Sequence, residues 1–495
     1  MGQSYQKLVE HYREIIFYDH ASAMLGWDSA VMMPTGGANA RADLLSFLGG
    51  EAHKKTTSDE IYDFLNKAAD EQDTLDRLHL ANFNIIKDKI ERARLVPKDL
   101  VKEVSKLSSQ CEFIWRDARK NNDFSATVES LEALLKRKKE VADIFADYLG
   151  CDRYDAMLDG FDPGRRSVDI DKVFKPLAEN LPHILDNVLS RQSAERPILN
   201  PKAVDLQKKL GKDIAKDLGF DFTAGRLDVS AHPFSGGIAD DVRMTARYYE
   251  ADYWSGIGAV IHETGHGMYD SGMPKDWRYM AVGQSFNMGM TGHESMSLFM
   301  ERHIGLHPAF FDYFVNKAFQ VTGQNHDKTA LQQRAYHVSR SLIRVDADEV
   351  TYPLHIILRY EIEKALMADT LEVSDMPDMW NEKMKDLLGI VPENDALGCM
   401  QDIHWFSGWF GYFPCYTLGA IAASQFYSKM EQDCPNIADD IQRGDFSRIQ
   451  SWLSDHIYQK GCQQRIDDLL IDVTDGGLSA EYYLQHIQNR YLENG

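Results

Sequence analysis

The residues best suited to chemistry lie in the run WSGIGAVIHETGHGMYD, which contains His262, Glu263 and His266. On a helix, positions i and i+4 project from one face about one turn apart, so the two imidazoles can share one Zn²⁺. Glu263, beside the first histidine, then reaches a water that the metal activates and can take its proton. The plainer reading is two ordinary surface histidines. Residues 253 to 261 argue against it, because they carry no charge and so bury the helix, and buried histidines need partners. A catalytic zinc keeps three protein ligands and one open position, so a third ligand must come from elsewhere. The stretch TGHESMSLFMERH, residues 291 to 303, offers Glu294, 28 residues beyond His266, and Glu301, seven further on.

Helices must position these groups, since helical periodicity dominates the chain. Val128, Leu131, Leu135, Ala142, Phe145 and Leu149 recur at spacings of three, four and seven, and Gly150 supplies a stop. Leu75, Leu78, Ile85, Ile86 and Ile90 repeat the pattern, and Pro97 sits where the first turn of the next helix tolerates it. Long helices of this kind predict an N-terminal helical hairpin or coiled-coil-like region. Strand material is confined to Phe220 to Tyr249, where Gly turns punctuate short alternating segments such as Val242, Met244, Ala246. The expected fold is mostly α, with a small sheet beside the HExxH helix. Turn chemistry gathers at 160–166 and 195–202, yet neither stretch resembles a flexible linker, and no repeat is visible. Residues 1–495 therefore read as one domain, with a helical subregion over 1–200 and a catalytic subregion over 201–495.

Composition closes off other classes of function. The 495 residues are 44% hydrophobic and carry 54 basic against 76 acidic side chains, a formal charge of −22. A field of that sign repels phosphate backbones and anionic lipid headgroups, so neither nucleic acid nor a membrane surface is expected as a partner. Six cysteines lie far apart with no metal or redox spacing, which suits reduced thiols in the cytoplasm. The first residues, MGQSYQKLVEHYREII, carry charge where an export signal needs an apolar run. Residues 403 to 428 lack Asp, Glu, Lys and Arg and look membrane-like by charge alone. Their glycines, serines, tyrosines, Pro414 and His404 predict a buried core or active-site segment.

The chain resembles the carboxypeptidase Taq family of zinc metallocarboxypeptidases along its whole length. Six signatures carry the resemblance in order: HPF at His232 to Phe234; Asp241, Arg243 and Thr245; the HExxH helix; HES at His293 to Ser295; Ile343, Arg344, Ala347 and Asp348; and Gly398, Gln401, Asp402, His404 and Trp405. The segments LGWDSAVMMPTGGANARADLL and YDAMLDGFDPG also look like family sequence. Departures are Met296, where the family is expected to have Gln, and FSGW at 406–409 in place of a more glycine-rich stretch.

The resemblance implies a helical fold with a deep active-site groove and a metal, Zn²⁺ or sometimes Co²⁺, held by His262, His266 and Glu294. It implies release of single C-terminal residues from peptides with broad specificity by a soluble intracellular homodimer. Glu263 is the expected general base. A tetrahedral intermediate needs donors aimed at its oxyanion, and His404 and Tyr412 are the candidates, with Tyr416, one turn on, the alternative phenol. Similar His and Tyr pairs in thimet oligopeptidase and angiotensin-converting enzyme support the role. Arg344 is the expected clamp for the terminal carboxylate, against a structural ion pair with Asp346 or Asp348. Arg243 and His232 are expected to line the groove, His293 to orient Glu294, and Asp402 to orient a histidine. The negative charge predicts that acidic C-termini are disfavoured. The alternative activity is an endo-acting or dipeptidyl oligopeptidase using the same zinc site.

Overall fold

Apolar residues at helical spacing, closed by caps, produce most of the computed structural model, which describes residues 2–193 and 195–493. Twenty α-helices and one three-stranded sheet form among these residues. They build two compact units, each from three stretches of chain.

The first unit comprises Met1–Arg94, Pro197–Ala335 and Ala422–Gly477. Helix Gln3–Val31 presents Tyr5, Leu8, Tyr12, Ile15 and Ile16 along one stripe. These meet Ile61 and Leu65 of Asp59–Ala69 and Phe83, Ile86 and Ile90 of Arg77–Leu95 in one buried cluster. Each such side chain, fully buried, contributes about 1.5–3 kcal/mol. The sheet has strands β1 (Gly225–Val229), β2 (Phe234–Ile238) and β3 (Asp241–Ala246) in the order β1-β3-β2. β3 runs parallel to β1 and antiparallel to β2. The alternation expected for Val242, Met244 and Ala246 is present: all three are buried and cluster with Val260 of helix Tyr253–Gly272, the HExxH helix.

The second unit comprises Leu95–Arg196, Tyr336–Ile421 and Leu478–Gly495. Its helical hairpin pairs Lys98–Asn121 with Ser125–Leu149, joined through Asn122 at φ 54°. Asn tolerates that left-handed conformation better than most residues, and Gly150, at φ 63°, ends the second helix where the sequence predicts a stop. The hairpin supports the chain around residue 400: the Trp115 indole N–H donates to the Met400 carbonyl at 2.9 Å, and its ring stacks on Phe406. The uncharged segment 403–428 is a turn followed by the first part of helix Pro414–Asp433, and it is largely buried. Among the described residues no helix is long and apolar enough to cross a membrane.

Candidate active site

The HExxH helix rests on β3 through Val260, which leaves its other face for His262 and His266. Gly265 lies between them in sequence, and a Cβ there would meet the Met296 carbonyl oxygen at 2.4 Å. Only glycine allows that approach, so helix Met290–Leu298 lies backbone-close against the HExxH helix and brings Glu294 with it. Glu294 Oε2 is 3.5 Å from His266 Nε2. One donor atom each from His262, His266 and Glu294 falls within 4.8 Å of the others.

Glu301 has a different place from Glu294. The helix widens to a π-helical turn over Phe299–Gly305, and Glu301 Oε2 lies 2.7 Å from Nδ1 of His262. A carboxylate on the outer nitrogen of an imidazole fixes the tautomer and turns the other nitrogen inward. His293, expected to orient Glu294, places its Nε2 3.3 Å from Asp270 and stacks between His266 and Phe286, each 4.4 Å away.

The electrostatics suit a cation. Burial works against a proton on His262, but Glu301, Glu294 and Glu263 together hold its pKa up at about 10. Burial would raise Glu294, yet the imidazoles of His266 and His262 outweigh it and bring the carboxyl to about 2. Burial lowers His266, and His293 adds to the effect. Burial raises Glu263, whose Oε2 has no hydrogen-bond partner among the described residues. Two imidazoles and one carboxylate converge, a second carboxylate orients the first imidazole, and a third is buried without a partner for one oxygen. This donor set fits a divalent metal of the zinc type.

The remaining predicted residues gather mostly in the second unit. His404 is buried against Phe413, with ring centroids 4.4 Å apart, and Tyr412 lies 5.5 Å from it. Burial lowers the His404 pKa to about 4, so the ring is neutral near neutral pH. Tyr416 packs edge-on to Tyr412 at 5.3 Å and lies under the Arg344 guanidinium at 5.1 Å. Arg344 is ion-paired, though with neither Asp346 nor Asp348. Its Nη2 donates to Asp402 Oδ1 at 2.8 Å and its Nη1 to the Tyr352 hydroxyl at 2.6 Å. Asp348 instead accepts backbone N–H groups from Ser339, Val350 and Thr351. Asp402, expected to orient a histidine, grips a second arginine, Arg359, whose Nη2 and Nε donate to Oδ2 at 2.6 and 2.8 Å.

Arg243, in the first unit, is held bidentately by Asp241 and lies over the Trp27 ring at 4.6 Å. His232 is exposed in the turn before β2. Sequence reasoning missed Arg359 and Glu363. Their signal was present in PLHIILRYEIEKALM, where Arg359 and Glu363 fall four apart on one face of a helix that is otherwise strongly apolar around them.

A sequence profile of the carboxypeptidase Taq (M32) metallopeptidases matches residues 7–491. Thermostable carboxypeptidase 1 of Thermus thermophilus is 35% identical over 99% of this chain and 98% of its own length. Carboxypeptidase 1 of Bacillus subtilis is 34% identical over 97% and 96%. Among solved structures, metallocarboxypeptidase 1 of Trypanosoma cruzi superposes with a TM-score of 0.95 at 33% identity, covering 99% of both chains. An M32 carboxypeptidase of Deinococcus radiodurans gives 0.94 at 30%, also over 99% of both. Fold, site and relatives agree on a peptide-hydrolysing metalloenzyme. The chain belongs to the carboxypeptidase Taq (M32) metallopeptidase family.

Proposed function

We propose that the chain is a zinc-dependent carboxypeptidase that releases single C-terminal residues from peptides with broad specificity, and that His262, His266 and Glu294 hold its metal. The observation that carries this reading is the convergence of those three donors within 4.8 Å beside the buried Glu263 carboxylate. A bound Zn²⁺, or Co²⁺ in its place, supplies Lewis acidity toward the scissile carbonyl and the attacking water. Glu263 takes the proton of that water and passes it to the leaving amine, a task suited to a carboxyl whose pKa burial raises. Glu301 keeps His262 turned for binding.

His404 and Tyr412, or Tyr416 in place of the latter, donate to the developing oxyanion. Arg344 binds the terminal carboxylate, while Arg243 and His232 limit substrate position. These assignments rest on the family resemblance. Support for the Arg344 role is that it shares the Asp402 carboxylate with a second guanidinium, Arg359, instead of holding a carboxylate of its own. The whole chain acts as one catalytic domain, and the family likeness supports an intracellular homodimer.

Paired peptides with a free or an amidated C-terminus test the reading, each with and without a chelator. The acid should be cleaved about thirtyfold better or more, since the amide loses a charge-assisted contact worth about 2–5 kcal/mol. Arg344→Ala should collapse that preference. Equal cleavage of acid and amide by the wild type would overturn exo-cleavage in favour of an oligopeptidase, and activity that survives metal removal would overturn the metal.

A further inference from the structure

One buried carboxylate in the second unit has no part in the chemistry above. Glu363 lies on helix Tyr352–Met367, one turn beyond Arg359, and is fully buried. Three donors converge on it. The Trp405 indole N–H reaches Oε1 at 2.9 Å, while the Gly411 backbone N–H and the Tyr154 hydroxyl reach Oε2 at 3.0 and 2.8 Å. Trp405 follows His404 directly and Gly411 precedes Tyr412 directly, so the carboxylate ties down both ends of the loop between the two proposed donors. Gly411 is set against a second helix, Arg153–Asp159: its φ is 91°, and a Cβ there would meet Leu158 N and Met157 C at 2.8 Å. Arg359, on the same helix face, fixes the same chain further back through Asp402. Helix Tyr352–Met367 thus holds residues 402, 405 and 411 with two successive charged side chains.

We propose that Glu363 is a positioning residue for the carboxypeptidase reaction, its carboxyl group setting the loop that presents His404 and Tyr412. This inference rests on the donor roles given to those two residues under the proposed function. Burial raises the Glu363 carboxyl while its three donors and Arg359 pull it down, and the balance falls at about 7. The three donors and Arg359 thus oppose the burial that would neutralise the carboxyl.

The chemistry of the donors makes an unusual demand. Indole and backbone N–H groups can only donate, and here they address different oxygens of one side chain. A carboxylate satisfies both. An amide of the same shape satisfies one and confronts the other with its own NH₂ group, leaving two buried donors face to face. Glu363→Gln, ordinarily a mild change, should therefore displace the loop. The change should be partly reversed by removing the confronted donor.

The test is a double-mutant cycle on the zinc-loaded enzyme, with kcat and KM measured on one N-blocked dipeptide. Glu363→Gln should lower kcat about tenfold to a hundredfold, the size expected of an ångström-scale misplacement, with KM within about twofold. Trp405→Phe should lower kcat in the wild-type background and raise it in the Gln background, since the amide nitrogen then faces no donor. Zinc content should be unchanged in all variants. Wild-type kcat in Glu363→Gln overturns the proposal, as does a loss of thermal stability with kcat intact below the transition, or a Trp405→Phe change of the same sign in both backgrounds. Should Glu363→Gln fail to fold, Tyr154→Phe removes one donor and keeps the carboxylate. A severalfold fall in kcat at constant KM supports the proposal, and wild-type kcat overturns it. His404→Ala and Tyr412→Phe separate the two readings. If both keep wild-type kcat, the donor roles fall; if both lose turnover while Glu363→Gln keeps it, only the role of Glu363 falls.

Discussion

The two buried charge clusters are opposite in composition. Around the HExxH helix, three carboxylates, Glu263, Glu294 and Glu301, meet two imidazoles. In the second unit, Arg344 and Arg359 meet one carboxylate, Asp402. The first therefore has the excess of donor groups that suits a cation, while the second holds two guanidinium groups on one shared carboxylate, with Glu363 one turn beyond Arg359 on the same helix. The clusters also differ in how their charge is held. In the second, guanidinium groups cannot release their protons, so Asp402 must stay ionised. Burial would raise its carboxyl, but Arg359 and Arg344 hold it well below the usual carboxylate range.

This contrast predicts different failures. The largest is expected at Glu263: Glu263→Gln should retain about one metal ion per chain and lose about two to four orders of magnitude in kcat, because the amide cannot accept the proton. His266→Ala should lose metal and activity together. Elemental analysis beside steady-state kinetics separates the two, and near-normal turnover in Glu263→Gln would remove it as the base.

Asp402→Asn should strike stability. It leaves the buried Arg344 and Arg359 without the carboxylate they share, at a cost of about 3–5 kcal/mol read from denaturant unfolding. A pH series sharpens the point. Since Asp402 is depressed in the folded state, its contribution is fully present above the unfolded carboxyl pKa of about 3.9 and is lost as pH falls below it. The wild type should therefore lose stability in acid more steeply than Asp402→Asn. Parallel acid limbs in the two proteins would show that Asp402 carries no such linkage.

The smallest expected effect concerns the overall charge of −22. Peptides ending in Asp or Glu should be cleaved a few-fold less efficiently than those ending in Leu, and the gap should narrow as salt screens the field. Equal kcat/KM at low ionic strength would confine the charge contrast to the two clusters.

Sequence alone determined much of the first cluster, because its logic is local. The i, i+4 spacing of His262 and His266 puts both rings on one face of any helix, and the apolar run before them buries that helix. The helical stripes, the strand region 220–249 and the stop at Gly150 were legible for the same reason, since each is a period or a cap within a few residues. The choice between Glu294 and Glu301 was not local. The backbone contact at Gly265 and the π-helical turn at Phe299–Gly305 separate the two, bringing one carboxylate beside His266 and the other to Nδ1 of His262.

The second cluster was legible only as a list of unusual residues. Its pairs join positions 43 and 58 residues apart, and Asp402 chose Arg344 and Arg359 over a histidine, while Arg344 passed over the nearer Asp346 and Asp348. Periodicity says which face of a helix is buried. It does not say which distant donor will meet a buried charge there, because that choice is set by the packing of helix Tyr352–Met367 against a loop with no repeating pattern of its own.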